Sequence, residues 1–444
     1  MMFLYRLATI SGGVVAAPIW HLRTAGDPRS RTILRQRLGH LPPWPPNAGG
    51  GSRKRIWLQA VSVGEVRLAA TFLRAAREAG LEIETAVSST TPTGIARAAD
   101  LTGEEGGTPP IAAASFAFPV DLPWASRRAL DTLRPAAFGT IETEIWPGLL
   151  AACARRGIPV FIANGSLSER SARRWGWMPG AIRHGLAAVR AACVQTSDDA
   201  ERLLALGARP EAVVVTGNMK FDSRPADLLE RAESLRQAMA LAHGTPILIA
   251  GSTSAGEEAI VVEAWKSAAA SVPGLVLVVA PRHRERFDEA AAAMEAAGAR
   301  VLRRSRSTGT SPPRPGDAIL LDTIGELETA YALADVAFVG GSLVPRGGQN
   351  PLEPARAGAP VLFGPGMDNF RDVAEALLAC GGAFEVRDAA SIARRTVALI
   401  ADPSAHERAS RAARRLVEEH SGATLRTIES LGRLIPEVFA RRRP

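Results

Sequence analysis

The chain has 444 residues, 46% of them hydrophobic and 22% charged, which allows two or three ordinary domains and excludes global disorder. Its net charge of +8 is carried almost wholly by arginine, since lysine occurs only at Lys54, Lys220 and Lys266, and this balance suits a polyanionic partner. Aromatic residues reach only 5% and no basic stretch is interleaved with them, so an anionic membrane or a phosphorylated small molecule fits better than nucleic acid.

In chain order, the first expected element is an apolar amino-terminal segment. Residues 2–20 carry no charge except Arg6. The uncharged run Leu7 to Trp20 falls short of the ~20 residues that a spanning helix needs, although a tilted span starting at Met1 is possible if Arg6 snorkels. A basic cluster follows (His21, Arg23, Arg29, Arg31, Arg35 and Arg37). A cleaved signal peptide carries its charge before the apolar run and small residues at its end, and Pro18, Ile19 and Trp20 do not fit that pattern. Residues 1–22 are therefore expected to form an uncleaved membrane anchor, spanning or interfacial, with the rest of the chain on the cytoplasmic side. The alternative is a buried helix of a soluble protein. Residues 23–55, basic and then rich in Pro, Gly and Asn, read as a linker.

Apolar runs then alternate with amphipathic stretches. Strands are expected at Ile56 to Val61, Ile83 to Val87, Ala136 to Gly139, Pro159 to Ala163 and Val189 to Gln195. Helices are expected at Glu65 to Ala79, Arg127 to Leu133 and Asp198 to Leu206. The pattern restarts near residue 246, with strands at Ile247 to Ala250, Val276 to Ala280, Ile319 to Leu321, Val336 to Gly340 and Pro360 to Phe363. Residues 303–316 read as an exposed loop, and Glu407 to Arg443 as helical and Arg-rich. Alternation of this kind means βαβ units and parallel sheets. The fold class is α/β: two Rossmann-like domains, 56–216 and 217–444, facing a cleft of the kind that binds small ligands.

Polar residues recur where these strands end, which is where doubly wound sheets bind their ligands. Ser62-Val-Gly-Glu65 follows the first strand, and Glu65 is either a general base toward a hydroxyl or a helix cap. Glu142-Thr-Glu-Ile-Trp-Pro147 places a second carboxylate at the same edge; the competing reading is a cap with Glu144 in the first turn. Lys220, in Gly217-Asn-Met-Lys-Phe-Asp222, is conspicuous because arginine is otherwise preferred, and a compact ammonium differs from a planar fork. Gly251-Ser-Thr-Ser254 resembles an anion-binding turn. Arg282, in Pro281-Arg-His-Arg284, suits bidentate phosphate binding or simple solvation. Ile324-Gly-Glu326 opens a helix whose N–H groups suit a base or phosphate. Gly340 through Pro354 ends with Asn350, Pro351, Leu352 and Glu353, where a carboxylate suits a ribose diol or merely complements a helix dipole. The three cysteines and seven histidines show no metal-ligand spacing, so no metal is expected.

Six blocks in this order resemble the 3-deoxy-D-manno-octulosonic acid (Kdo) transferases: Ala60 to Glu65, Thr90 to Gly94, Glu142 to Pro147, Gly217 to Asp222, Pro281 to His283 and Gly340 to Pro354. The resemblance implies a membrane-associated GT-B glycosyltransferase at the cytoplasmic face of the bacterial inner membrane. It implies CMP-Kdo as donor, a lipid A precursor as acceptor, and no cofactor. It assigns proton acceptance to Glu65 and transition-state stabilisation to Glu142 and Lys220. It assigns CMP contacts to Pro281, Arg282, Ile324, Gly325, Glu326, Asn350, Pro351, Leu352 and Glu353. Gln59 and Gln349 depart from a pattern in which many members carry His. Two other readings remain compatible: a GT-B transferase for a different nucleotide sugar, and a catalytically silent membrane-bound scaffold of the same fold.

Overall fold

Short apolar runs become buried parallel strands when helices cover both faces of the sheet, and the computed structural model contains two sheets of this kind. It describes residues 28–44, 53–103, 110–177, 179–222, 228–307 and 309–440. The expected anchor, 1–22, lies outside the described residues. Among those described, no helix is long and apolar enough to cross a membrane.

The first sheet contains β1 (Lys54–Gln59), β2 (Ile83–Ser89), β3 (Ala114–Ala117), β4 (Ala137–Ile141), β5 (Val160–Gly165), β6 (Val189–Val194) and β7 (Val213–Val215). Their spatial order is β3-β2-β1-β4-β5-β6-β7, parallel throughout. The second sheet contains β8 (Ile247–Thr253), β9 (Val276–Pro281), β10 (Arg300–Arg303), β11 (Asp317–Leu320), β12 (Val336–Val339), β13 (Val361–Phe363) and β14 (Ala383–Glu385). Their order is β10-β11-β9-β8-β12-β13-β14, again parallel. Both are doubly wound. The winding reverses between β1 and β4 in one and between β8 and β12 in the other, and such reversals open a crevice at the strand carboxyl ends.

The central strands match the apolar runs. The edge strands β3, β7, β10 and β14 are absent from the sequence reading because they span only three or four residues and are not buried on both sides. β10, Arg-Val-Leu-Arg, has no fully buried residue.

Two expected boundaries are corrected. Residues 28–44 are not linker. The helix Pro28–Arg37 packs on β3, the Gln36 side-chain oxygen accepts the Ala117 N–H at 2.8 Å, and the Trp44 indole N–H donates to Glu84. Lys54 and Arg55 already belong to β1. The second correction concerns 217–444. The chain divides into one unit of residues up to 222 together with 421–440, and another of 228–420. The cause is apolar burial. Met219 is fully buried in the first unit's core, as are Ile428, Leu431, Ile435 and Phe439, and the Phe161 and Phe439 rings meet edge-on at 5.2 Å. The carboxyl-terminal helical segment accordingly breaks at Gly422 (φ 89°), between Pro403–His420 and Ala423–Leu434.

Candidate functional site

In the first unit, the helix Val63–Glu78 starts directly after β1, with Ser62 as its N-cap. Glu65 is the third helical residue and reaches back: its Oε2 accepts the Val61 N–H at 2.7 Å, and its Oε1 accepts the Ser62 hydroxyl at 3.0 Å. This is a variant of the capping box, so the capping reading of Glu65 is correct as far as it goes. The Thr90 to Gly94 block supports the same turn. The Ser89 and Thr91 hydroxyls both donate to the Val61 carbonyl, and a Cβ on Gly94 would lie 2.2 Å from Ser89 Oγ.

A cap alone keeps a carboxylate acidic. Glu65 is instead pushed up to about 7, first by burial and then by the Glu142 charge; the Val61 and Ser62 hydrogen bonds oppose the rise, and Glu144 adds to it. Glu142 follows β4 in left-handed backbone (φ 59°), its N–H donating to the Ala163 carbonyl at 2.9 Å. A non-glycine residue in that conformation carries strain, which concentrates at functional sites. Lys220 Nζ lies 3.0 Å from Glu142 Oε1. Residues 65, 142 and 220, far apart in sequence, therefore meet at the crevice between β1 and β4.

Glu144 escaped the sequence reading in this role. The helix begins only at Pro147, so Glu144 is not in a first turn. Its carboxyl group is also pushed up to about 7, mainly by burial; the Trp146 side chain opposes this and the Glu142 charge adds to it. The consequence for stability is signed. Glu65 and Glu144 titrate from an ordinary 4.5 when unfolded to about 7 when folded. The folded state therefore holds more protons between those values, and stability falls as pH rises through that window. Thermal unfolding of Glu144→Gln should match wild type near pH 5 and exceed it near pH 8. Equal melting at both values would contradict the assignment.

Gln59, where His is common in the resembling family, is fully buried. Its oxygen accepts the Ser88 hydroxyl at 2.6 Å and its amide donates to Thr90 Oγ1 at 3.0 Å. It fastens the ends of β1 and β2.

In the second unit, the Gly251 to Ser254 turn already has an internal anion at its end, where the Ser254 N–H donates to Glu257. Glu257 is fully buried and ties that turn to the one after β12. Its Oε2 accepts the N–H groups of Ser254 (2.8 Å) and Gly341 (2.6 Å), and its Oε1 those of Ser342 (3.1 Å) and Leu343 (3.0 Å). Next to it, buried Glu258 accepts the Thr253 hydroxyl and a bidentate contact from Arg286 at 2.9 and 3.3 Å. Gly340 is required by this packing, since a Cβ there would lie 2.5 Å from the Ser252 carbonyl oxygen. Its small size lets β8 and β12 close on each other.

The expected nucleotide-contacting residues all sit at strand carboxyl ends. Pro281 ends β9, and the Arg282 N–H donates to the Thr253 carbonyl at 3.0 Å. Ile324, largely exposed, and Gly325 (φ 89°) follow β11, and Glu326 pairs with Arg304 at 3.0 Å. After β12, Gln349 donates its N–H to the Gly340 carbonyl at 3.1 Å. Pro351 is the N-cap of the helix Leu352–Ala357, and the Asn350 side chain accepts the Leu352 N–H at 3.1 Å while its amide donates to Glu353 Oε1 at 3.3 Å. The segments 324–326 and 350–353 come together because the helix Leu327–Tyr331 packs on Leu352–Ala357, with Arg356 paired to Glu328 at 2.8 Å. Burial raises both Glu328 and Tyr331, and the Glu353 charge adds to each. Among the described residues, no group of three or more His, Cys, Asp or Glu is arranged to hold a metal ion.

A family profile described as 3-deoxy-D-manno-octulosonic-acid transferase matches residues 32–223. A 3-deoxy-D-manno-octulosonic acid transferase of Bordetella pertussis is 38% identical, over 85% of this chain and 86% of that protein. One from Haemophilus influenzae is 33% identical, over 92% and 93%. Among solved structures, a glycosyltransferase from Rickettsia africae superposes with a TM-score of 0.55 at 11% identity, covering 88% of this chain and all of the other, which is a likeness of fold.

Proposed function

The chain belongs to the Kdo transferase family of glycosyltransferases, and from that premise we propose that it moves Kdo from CMP-Kdo to a hydroxyl of the lipid A precursor, lipid IVA, in lipopolysaccharide biosynthesis. The observation that carries the mechanism is Glu65: a carboxylate near neutrality at the carboxyl end of β1, beside the Glu142–Lys220 pair. A base is most effective when its pKa lies near the working pH.

The acceptor oxygen attacks the anomeric carbon of Kdo while its proton passes to the Glu65 carboxylate. The bond from that carbon to the phosphate oxygen breaks on the opposite face, CMP departs with the electron pair, and the centre inverts. Lys220 compensates negative charge near the reacting sugar, whose own carboxylate needs a partner. Arg282, with helix N–H groups near Glu326 and Asn350, takes up the charge of the departing nucleotide. Glu353, oriented by Asn350, accepts hydrogen bonds from the ribose. Residues 1–22 and the basic residues after them hold the enzyme at the cytoplasmic face of the inner membrane, beside its anionic acceptor.

Incubation with CMP-Kdo and lipid IVA, followed by CMP release and mass of the lipid product, tests the whole reading. Transfer from a UDP-sugar instead, or tighter binding of UDP than CMP, would replace the donor. No transfer from any nucleotide sugar would leave a silent scaffold. For the ribose contact, Glu353→Gln should weaken CMP binding about tenfold, the loss of one charge-assisted hydrogen bond. Calorimetric titration with CMP measures this, and an unchanged affinity removes the role.

A further inference from the structure

The Glu142–Lys220 pair brings together two turns from distant parts of the sequence; neighbouring residues of β5 hold the Glu142 backbone and the residue before Lys220, whose own N–H donates to Asn218 Oδ1 at 3.0 Å within its turn. The Ala163 carbonyl accepts the Glu142 N–H at 2.9 Å. The next residue, Asn164, accepts the Met219 N–H on its side-chain oxygen at 2.7 Å, one position before Lys220. Asn164 is fully buried and left-handed (φ 59°), a conformation that Asn tolerates better than most residues. Its backbone carbonyl accepts from the Gln195 amide at 3.1 Å. Its own side-chain nitrogen finds no partner among the described residues, so the acceptor oxygen is the half of the amide in use.

We infer that Asn164 is a positioning residue for Kdo transfer: its side-chain oxygen fixes the Met219 N–H and so sets Lys220 against Glu142. The far end of the same turn is held separately, by Asp222, which accepts the N–H groups of Gly422 and Thr424. The placement matters for the base. Glu142 is the strongest charge acting to raise Glu65, and Lys220 offsets Glu142. Glu144 is the other acid facing Glu65. On the elements packed against the Glu65 helix, Arg97 and Asp100 pair with each other, and Arg426 is tied to the Thr216 and Ser421 carbonyls. This part of the argument rests on the reading of Glu65 as base.

Asn164→Gly keeps the left-handed backbone and deletes the acceptor. With only three lysines in the chain, acetylation followed by peptide mapping reads each one separately. In Asn164→Gly, Lys220 should be acetylated several-fold faster than in wild type, with Lys54 and Lys266 unchanged. The acidic limb of kcat/KM should move up by about 0.5–1 pH unit, because an uncompensated Glu142 favours protonated Glu65. Lys220→Met should move it at least as far, and the double variant no further, since both act through one contact. Unchanged labelling of Lys220, equal acceleration at all three lysines, or additive shifts of the limb would each overturn the role. Full activity of Glu65→Gln would instead remove the base assignment, and the labelling of Lys220 would still decide the placement by Asn164.

Discussion

Glu65→Gln should reduce Kdo transfer by roughly 10²–10⁴-fold, the range expected for loss of a general base, while CMP affinity stays at the wild-type value. The fold gives this variant unusual discriminating power. Glutamine serves a capping box nearly as well as glutamate: its oxygen still accepts the Val61 N–H and its amide nitrogen donates to Ser62 Oγ. The helix start survives and only proton acceptance is lost. In wild type the rate should climb as pH rises through about 7, as Glu65 gives up its proton; the variant should show no such limb. Single-turnover measurements from pH 5.5 to 8.5 provide both readings. Near-normal transfer, or a surviving limb, rejects Glu65 as the base.

The second large effect is on stability. Glu257→Gln should destabilise the second unit by roughly 1–4 kcal/mol. Each carboxylate oxygen of Glu257 accepts one buried and one part-buried N–H group. An amide supplies one such oxygen, and its NH₂ group faces the other two donors. Each buried donor left without a partner costs about 1–3 kcal/mol. The strand-end turn from Gly340 to Leu343 should loosen, and CMP affinity should fall with it because Asn350 and Glu353 follow in the same segment. Denaturant unfolding and CMP titration of the variant measure the two losses. Wild-type stability would mean that these four N–H groups find other partners.

The contrast between these two glutamates shows what was legible in the sequence. Glu65 and Glu142 stood out because parallel strands announce themselves as apolar runs, and residues just past such runs face the crevice; Lys220 follows a strand too short to read and stood out only because lysine is scarce, and the roles of all three came from the family resemblance. The segments 281–282, 324–326 and 350–353, expected to contact the nucleotide, were placed at strand ends by the same reasoning. Glu257 was missed because its action is non-local. Ser252-Thr-Ser254 after a strand looks like a phosphate cradle, and two acids three residues later look like ordinary complements to a helix dipole. Nothing nearby in sequence says that one acid folds back to collect N–H groups from residues 341–343. The return of 421–440 to the first unit was hidden for a similar reason. An amphipathic pattern marks a helix but not the surface that it covers, and the partners here are Phe161, Ala163 and Cys193 on the other side of the chain's midpoint.

That return has a consequence for biosynthesis. Asp222 waits for Gly422, 200 residues later in translation. At about 5–20 residues per second, a ribosome needs roughly 10–40 s to cover that distance. Throughout this interval the nascent front half stands with the seat of Phe439 open and the Lys220 turn tethered at one end. The whole second unit is synthesised before the segment that completes the first leaves the ribosome, so the first unit is finished last, with the final helices.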